Sequence, residues 1–189
     1  MSFDFSQCSD GELAALAIGG QERAYRELLR RYREPVYRLV RGTIRDGEEA
    51  LDVTQESFVA AFAALKRYDR ERPFKLWISR IAINKCRDWA RRRAVRAFFT
   101  RAAPVDEAFD LASDNASPET EASDRAELAR VSAAITELPA KLREALILRA
   151  IEGMTQAEAA EALIVTEKTV ETRLYRARLA LADILSKKV

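Results

Sequence analysis

The segment from Arg72 to Arg93, RPFKLWISRIAINKCRDWARRR, combines side chains that could bind nucleic acid. Four polar residues recur at steps of four, three and four positions, which places them on one side of a helix: Arg80, Asn84, Arg87 and Arg91. Cations hold phosphates, and an amide can both donate and accept at a base edge. Residues 72–101 carry ten basic side chains and one acidic one, whereas a merely solvated face usually mixes both signs. The pattern favours nucleic-acid binding over the alternative, a solvated helix whose cations stabilise its C-terminus.

A second group of polar residues lies in the segment 154–181, which has helix-turn-helix spacing. Thr155 and Glu158 form a capping-box pattern for a short helix, and Thr166 can cap a second one. In such motifs the start of the second helix enters the major groove of DNA. The outer faces of that helix carry Lys168, Thr169, Thr172, Arg173 and Arg176. The alternative is an ordinary helical hairpin within a bundle.

A third polar surface is acidic. Asp46 is suited to cap a helix that begins near Glu48, and Glu49, Asp52 and Glu56 share one side of it. The opposite side is apolar, with Leu51, Phe58, Phe62 and Leu65. This helix therefore presents carboxylates on one side and a hydrophobic anchor on the other.

The residue types argue against an enzyme or a metalloprotein. The chain has no histidine, and Cys8 and Cys86 lie too far apart to suggest a zinc site, so both are interpreted as reduced thiols. We find no constellation of nucleophile, base and oxyanion donors. The expectation is no catalytic residue, no metal, no cofactor and no small-molecule substrate. Neither a signal peptide nor a membrane-spanning run is evident, which favours a cytoplasmic location.

The elements that must position these groups are helices. The periodicity predicts an all-α protein with two helical domains, residues 1–94 and 127–189, joined by a flexible acidic linker, residues 95–126. Breaks at 138–139, 152–153 and 164–165 predict four helices in the second domain. The basic helix of the first domain has an apolar stripe that can face a core: Phe74, Trp77, Ile78, Ile81, Ala82, Cys86 and Trp89.

Three blocks, taken together, resemble the bacterial extracytoplasmic-function sigma factors, which keep only sigma regions 2 and 4. DGEEALDVTQESFVAAFAAL resembles the stretch of region 2 that docks on RNA polymerase, and RPFKLWISRIAINKCRDWARRR resembles its strand-opening helix. ELPAKLREALILRAIEGMTQAEAAEALIVTEKTVETRLYRARLAL resembles region 4. The likeness covers roughly residues 22–186.

The resemblance implies a role for each polar surface. Asp52, Gln55 and Glu56 would meet the β′ clamp helices of core RNA polymerase, and region 4 would meet the β flap; the alternative for the carboxylates is a solvated face. The stripe from Arg80 to Arg91, with the loop 68–72, would capture unpaired bases of the −10 promoter element. The five polar residues from Lys168 to Arg176 would read the −35 element. An anti-sigma factor, soluble or membrane-bound, is a further expected partner and could hold the protein at the membrane.

Two positions depart from the family pattern. The family often has glycine where Ile164 stands, at a turn that usually requires a left-handed conformation. A β-branched residue there carries roughly 1–2 kcal/mol of strain unless its side chain packs and the turn is reshaped. The family often has a basic or neutral residue where Glu171 stands, and this carboxylate would weaken a phosphate contact or alter base preference.

Other interpretations account for only part of the sequence. A sigma-like decoy for an anti-sigma factor should lose the basic face, whereas this chain keeps Arg80, Arg87 and Arg91. A helix-turn-helix regulator with a sensor domain leaves the acidic helix 46–65 and the separate basic helix unexplained. The acidic linker is compatible with a plain tether and also with a segment that mimics nucleic acid inside the polymerase.

Overall fold

The computed structural model describes residues 4–100 and 119–187, and both stretches are almost wholly helical. The first module, residues 4–100, has four α-helices: α1 (Asp10–Ile18), α2 (Glu22–Arg41), α3 (Gly47–Ala63) and α4 (Phe74–Thr100), with 3₁₀ turns at Phe5–Gln7 and Leu65–Arg67. The second module, residues 119–187, has α5 (Glu119–Glu137), α6 (Ala140–Leu146), α7 (Gln156–Leu163) and α8 (Glu167–Ser186). A π-helical turn, Ile147–Ile151, continues α6. The predicted all-α class and the four helices of the second domain are confirmed.

Side-chain caps determine where several helices begin. Asp46 accepts hydrogen bonds from the backbone N–H groups of Glu48 and Glu49, as predicted. Thr155 and Glu158 form the predicted capping box at α7, and Thr166 caps α8. These caps satisfy backbone donors that the first turn of a helix leaves without partners.

An aromatic cluster anchors α4 in the first module. Phe74 is fully buried and contacts the rings of Tyr32, Tyr68 and Trp77 at centroid distances of 5.1, 5.3 and 5.4 Å. Ring pairs at these separations add to the free energy gained by burial. The cluster therefore holds the loop that precedes α4, residues 68–73, against the start of that helix.

The helix-turn-helix of the second module is built on small residues and one apolar stripe. Ala159 and Ala160 of α7 are buried, which permits close packing against α8. Val170 and Ala177 of α8 are fully buried and Leu174 and Leu181 are partly buried, so these four residues form one apolar stripe. Ile164 ends α7 with φ 57° and ψ 54°, so the predicted left-handed turn is confirmed.

The two modules pack on each other. Helix α7 lies against α4, and Ile147 and Leu148 belong to the same hydrophobic core as Leu39 and Ile78 of the first module. Helices also enter both ends of the predicted linker, because α4 continues to Thr100 and α5 begins at Glu119. The rest of that linker lies outside the described residues. The domain boundaries predicted from the sequence stay a prediction.

Within residues 4–100 and 119–187, no helix has the length and hydropathy needed to cross a membrane. The same residues contain no cluster of three or more acidic, cysteine or histidine side chains that could hold a metal ion.

Candidate nucleic-acid interface

The predicted basic stripe lies along one side of α4, but its members differ in their surroundings. Arg80 and Asn84 are exposed, and no hydrogen bond or ion pair of Arg80 is found among the described residues. The side-chain oxygen of Asn84 accepts a long hydrogen bond, 3.5 Å, from Arg87. Arg91 is 79% exposed and forms an ion pair with Asp88 one turn earlier. Arg80 and Asn84 are therefore open to a ligand.

Arg87 is paired with the second module, while its side chain stays 40% exposed. Its Nε and Nη2 atoms donate to the two carboxylate oxygens of Glu144, on α6, at 2.8 and 2.7 Å. The Glu144 side chain is only 5% exposed. Its carboxylate raises the pKa of the Arg87 guanidinium, chiefly through these hydrogen bonds. Two N–H donors of Arg87, on Nε and Nη2, are thus already occupied.

A cleft of about 340 Å³ opens beside Arg80. Its walls come from the loop before α4, from the first turns of α4 and from α7: Arg67, Tyr68, Asp69, Arg72, Pro73, Leu76, Trp77, Arg80, Glu161 and Ala162. The Tyr68 hydroxyl donates to the carbonyl of Arg72, which shapes the loop, and burial raises the pKa of Tyr68 to about 12. Aromatic walls with a polar rim suit an unstacked base.

The five predicted residues of the helix-turn-helix occupy the first three turns of α8. Thr169 and Thr172 use their hydroxyls locally, since Thr169 pairs with Thr166 at 2.8 Å and Thr172 donates to the carbonyl of Lys168 at 2.9 Å. Lys168 forms an ion pair with Glu171 at 2.9 Å. Arg176 is exposed and Arg173 is half-buried, and among the described residues neither has an ion-pair partner. This face of α8 is open to a groove of DNA.

The acidic surface of α3 is divided between solvent and α4. Asp52 and Gln55 are exposed. Glu56 instead lies 3.6 Å from Lys85 and 3.4 Å from Arg92, both on α4. Asp52 and Glu56 also line a cleft of about 660 Å³ between α3 and the end of α4, which Gln55 does not. Asp52 and Gln55 are consequently the predicted docking residues most accessible to a partner.

The acidic residues of the second module that meet the first were not predicted from the sequence. Glu144 pairs with Arg87, Glu152 lies between Arg38 and Lys75, and Glu161 bonds to Arg72. A signal was nevertheless present in α4, because Leu76 and Ile83 alternate with Arg80 and Arg87 on the basic side, and both are buried. Apolar residues at this spacing within a cationic stripe indicate that the side is partly covered.

Both cysteines are free thiols, as predicted. Cys86 is buried in α4, and burial together with the nearby Glu144 carboxylate raises the pKa of its thiol to about 12. The thiol therefore stays protonated at neutral pH and is a poor nucleophile.

Comparison with known proteins assigns both modules. Residues 28–96 match the family model of Sigma-70 region 2, and residues 128–181 match that of Sigma-70, region 4. The RNA polymerase sigma factor CnrH of Cupriavidus metallidurans is 39% identical over 94% of this chain and 94% of its own length. The ECF RNA polymerase sigma factor SigM of Mycobacterium tuberculosis is 32% identical over 94% and 85%. The chain belongs to the sigma-70 family of RNA polymerase sigma factors, in its extracytoplasmic-function group.

Solved structures agree with this assignment. CnrH in complex with the cytosolic domain of CnrY has a TM-score of 0.71 and 34% sequence identity, and the match covers 95% of this chain and 99% of CnrH. The sigma factor RpoE of Bartonella quintana, in complex with the anti-sigma factor NepR, has the same fold at a TM-score of 0.69, with 20% identity over 86% of this chain and 96% of RpoE. Both likenesses extend over the two modules described above.

Proposed function

We propose that this sigma factor directs transcription initiation through three helical surfaces. Helix α3 contacts core RNA polymerase, α4 contacts the −10 element and α8 contacts the −35 element. The observation that carries the proposal is the exposed Arg80 at the cleft lined by Tyr68 and Trp77, with the exposed Asn84 one turn further along α4. That arrangement joins a cation, an amide and ring faces within one surface. Family membership favours a non-enzymatic role, in which the protein supplies specificity and the polymerase supplies the chemistry.

The α4 surface is the proposed site for the −10 element. Arg80 lines the cleft together with Tyr68 and Trp77, and Asn84 follows one turn along the helix. A base flipped out of the duplex offers a ring face and a free Watson–Crick edge. The ring walls of the cleft match the first, and the amide of Asn84 matches the second, while Arg91 is placed for the phosphate backbone.

The α8 surface is the proposed site for the −35 element. Arg173 and Arg176 would hold phosphates, while Lys168, Thr169 and Thr172 near the start of the helix would face the base edges. Glu171 competes with the phosphate backbone for Lys168, since the two side chains already form an ion pair. We therefore assign the larger share of phosphate binding to the two arginines.

The acidic side of α3 is the proposed docking surface for the β′ clamp helices of core polymerase. Asp52 and Gln55 are exposed there, and Val59 adds apolar area at 70% exposure. Glu56 would take part only after leaving Lys85 and Arg92, so we rank its contribution below that of Asp52.

An anti-sigma factor is the fourth proposed partner. The solved RpoE complex contains the anti-sigma factor NepR, and CnrH was solved with the cytosolic domain of CnrY. In this chain Tyr175 and Leu179 of α8 are 63% and 56% exposed, which offers apolar area to a helical inhibitor. A membrane-anchored inhibitor would hold the protein at the membrane.

Reconstituted transcription tests the proposal. Core RNA polymerase with the full chain should initiate at discrete start sites on fragmented genomic DNA of the source organism, and mapped starts should share −10 and −35 elements. Asp52→Lys should abolish co-purification with core and transcription, because it reverses the charge of the docking surface.

Glu127→Lys is the matched control for this experiment, since Glu127 is an exposed carboxylate on α5 and not on α3. It should leave both core binding and transcription unchanged. Random start sites with the wild-type chain, or full core binding by Asp52→Lys, would contradict the proposal.

A further inference from the structure

The first turn of α1 packs directly against the loop that precedes α4. Gly11 lies so close to this loop that a Cβ on it would be 2.7 Å from the carbonyl oxygen of Arg70 and 3.3 Å from the Cβ of Arg70. The first separation is shorter than real Cβ atoms show, and the obstacle is backbone, which cannot rotate away as a side chain can. The observed contact therefore requires glycine at position 11.

The loop is tied together by its own hydrogen bonds. The backbone N–H of Arg72 donates to the carbonyl of Asp69 at 3.1 Å, and the N–H of Glu71 donates to the carboxylate of Asp69 at 3.1 Å. The Tyr68 hydroxyl donates to the carbonyl of Arg72. These bonds join the loop into one unit, so a displacement of one residue also displaces the others.

This unit forms part of the cleft beside Arg80. Tyr68 and Arg72, at the two ends of the loop, line the cleft. Arg70 and Gly11 are not among its lining residues. The contact of α1 therefore acts on the cleft only through the loop, and it sets the positions of a ring wall and of a cation at the rim.

A second link joins α1 to the same ring wall. The carboxylate of Asp10 accepts a hydrogen bond from the hydroxyl of Tyr32 and forms an ion pair with Arg31 at 3.1 Å. The ring of Tyr32 lies 5.1 Å from that of Phe74, which in turn lies 5.3 Å from the ring of Tyr68. Asp10 thus holds one member of the aromatic cluster to which the cleft wall belongs.

We propose that the first turn of α1 positions the cleft beside Arg80 for the capture of a base. Gly11 fixes where the loop lies, and Asp10 fixes the ring of Tyr32 in the cluster that supports it. Both are positioning residues that do not themselves contact nucleic acid. The proposal rests on the assignment of this cleft to the −10 element. It adds to promoter recognition a helix that precedes the residues matched by the region 2 model, 28–96.

Gly11→Ala tests the contact in the full chain. Alanine is a better helix former than glycine, so the substitution favours α1 while its Cβ pushes on the loop. Gly47→Ala, at the first position of α3, is the matched control, because a Cβ there has nothing within 4 Å. Circular dichroism, thermal unfolding and co-purification with core polymerase check that both variants fold and bind core as the wild type does.

The first readout needs neither polymerase nor DNA. The ring of Trp77 lines the cleft and lies 5.2 Å from the ring of Tyr68, so its fluorescence reports the position of the loop. In a Trp89→Phe background, Gly11→Ala should change the quenching of Trp77 by acrylamide, whereas Gly47→Ala should match the wild type. Equal quenching in all three proteins would show that α1 does not position the loop, which would overturn the proposal.

The second readout is base preference at the −10 element. Reconstituted holoenzyme opens the mapped promoter and the same promoter with single −10 bases replaced, and a fluorescent base analogue reports opening. Gly11→Ala should narrow the ratio between the two about tenfold, because a well-placed base contact supplies about that much discrimination. A general loss of stability would lower opening on every promoter and leave the ratio unchanged, and that result would also overturn the proposal.

Tyr32→Phe is the second variant, and it replaces Gly11→Ala if that chain does not fold. It removes the hydroxyl that binds Asp10 and keeps the ring on Phe74. The ratio should narrow by about threefold, the effect of one hydrogen bond lost at a distance from the base.

Asn84→Ala, measured alongside, separates two failures. If Asn84→Ala loses base preference while Gly11→Ala and Tyr32→Phe keep it, then positioning by α1 is wrong and the assignment of the cleft stands. If Asn84→Ala keeps full base preference, then the assignment of the cleft to the −10 element is wrong, and the proposal fails with it.

Discussion

Helices α4 and α8 carry the proposed DNA-binding residues of this sigma factor, and they differ in how far their cations are already paired with other side chains. On α4, Arg87 is bound to a buried carboxylate of the other module, and the cleft beside Arg80 is walled by α7. On α8, Arg176 is exposed, and the Lys168 partner Glu171 lies on the same helix. The proposed −10 surface is thus partly occupied by a distant part of the chain, whereas the cations of the proposed −35 surface meet only side chains of their own helix.

This difference follows from how many sides of each helix are buried. Helix α4 buries Phe74 and Ile78 toward its own module and also buries Leu76 and Ile83 on its basic side. Helix α8 has only Val170 and Ala177 fully buried, on a single stripe. A helix with two apolar stripes packs against protein on two sides. Polar groups between the stripes, such as Arg87, are then close to side chains of the other module and pair with them.

The largest expected effect is on promoter opening, and it distinguishes residues of α4 that contact bases from residues that contact phosphates. Asn84→Ala and Arg80→Ala should reduce promoter opening about tenfold to a hundredfold, because a good bidentate base contact contributes about 1–3 kcal/mol. Core binding should be unchanged. Fluorescence of a base analogue within the −10 element, with the mapped promoter, measures opening.

Arg92→Ala provides the contrast, since Arg92 lies near the end of α4 beside Glu56 and away from the cleft. It should weaken binding to every sequence equally and lower the salt slope by about one. An equal loss for Asn84→Ala on all promoter sequences would remove its base-reading role.

The next effect is on stability, and it compares Arg87, which is paired with Glu144, with the exposed Arg176. Arg87→Ala leaves the Glu144 carboxylate buried without its partner, which should cost about 2 kcal/mol. Arg176→Ala removes an exposed side chain and should change stability by less than about 0.5 kcal/mol. Urea unfolding of the full chain measures both. Equal midpoints would mean that the pairing of Arg87 with Glu144 contributes nothing to stability.

A smaller effect concerns two left-handed residues of the second module, Ile164 with φ 57° and Gly153 with φ 65°. Ile164 is 63% exposed, so little packing offsets its strain, and Ile164→Gly should stabilise the chain by up to about 1 kcal/mol. Gly153→Ala should destabilise it by about 1 kcal/mol. A Cβ there has open space around it, but the positive φ is unfavourable for any residue other than glycine. Thermal unfolding compares the two.

Ile164→Ala is the control that removes the side chain and keeps the Cβ, so it should leave the strain in place. If Ile164→Gly lowers the unfolding midpoint below that of Ile164→Ala, then the exposed side chain contributes more than the strained backbone costs.

The smallest effect is a pH dependence confined to the first module. Glu27 accepts hydrogen bonds from Arg30 and Arg31, and these lower its pKa from 4.5 to about 2. Because the folded pKa lies below the ordinary value, the stabilisation is complete above pH 4.5 and is lost as the pH falls toward 2. Glu27→Gln should flatten the decline of the thermal midpoint across this range, and an unchanged slope would show that other carboxylates control it.

Much of the fold could be predicted because its signals are local. The caps at Asp46, Thr155 and Thr166 act on backbone groups two or three residues away, so spacing alone reveals them. The apolar stripe of α8 and the left-handed turn at Ile164 are likewise properties of a few consecutive residues. The family followed from three such blocks in order along the chain.

For the site, the sequence predicted which residues are able to bind, but not which of them are already paired with other side chains. The roles of the twelve predicted polymerase- and DNA-binding residues stay predictions, and for Glu56 and Arg87 the partner could not be foreseen. Glu56 meets cations 29 and 36 residues away in the chain, on α4. Charge pattern identifies which residues are able to bind, whereas only their neighbours in space decide which remain available.

The sequence by itself determined the helices, their caps, the helix-turn-helix and the membership of the sigma-70 family, since each depends on residue types a few positions apart. The tertiary structure alone decided that the modules share a core and that Glu144 and Glu161 reach Arg87 and Arg72 across 57 and 89 residues of chain. The physical reason is range: periodicity and capping act within a helical turn or two. An ion pair between distant segments forms only where packing of apolar residues, here Ile147 against Gly42, has already brought them together.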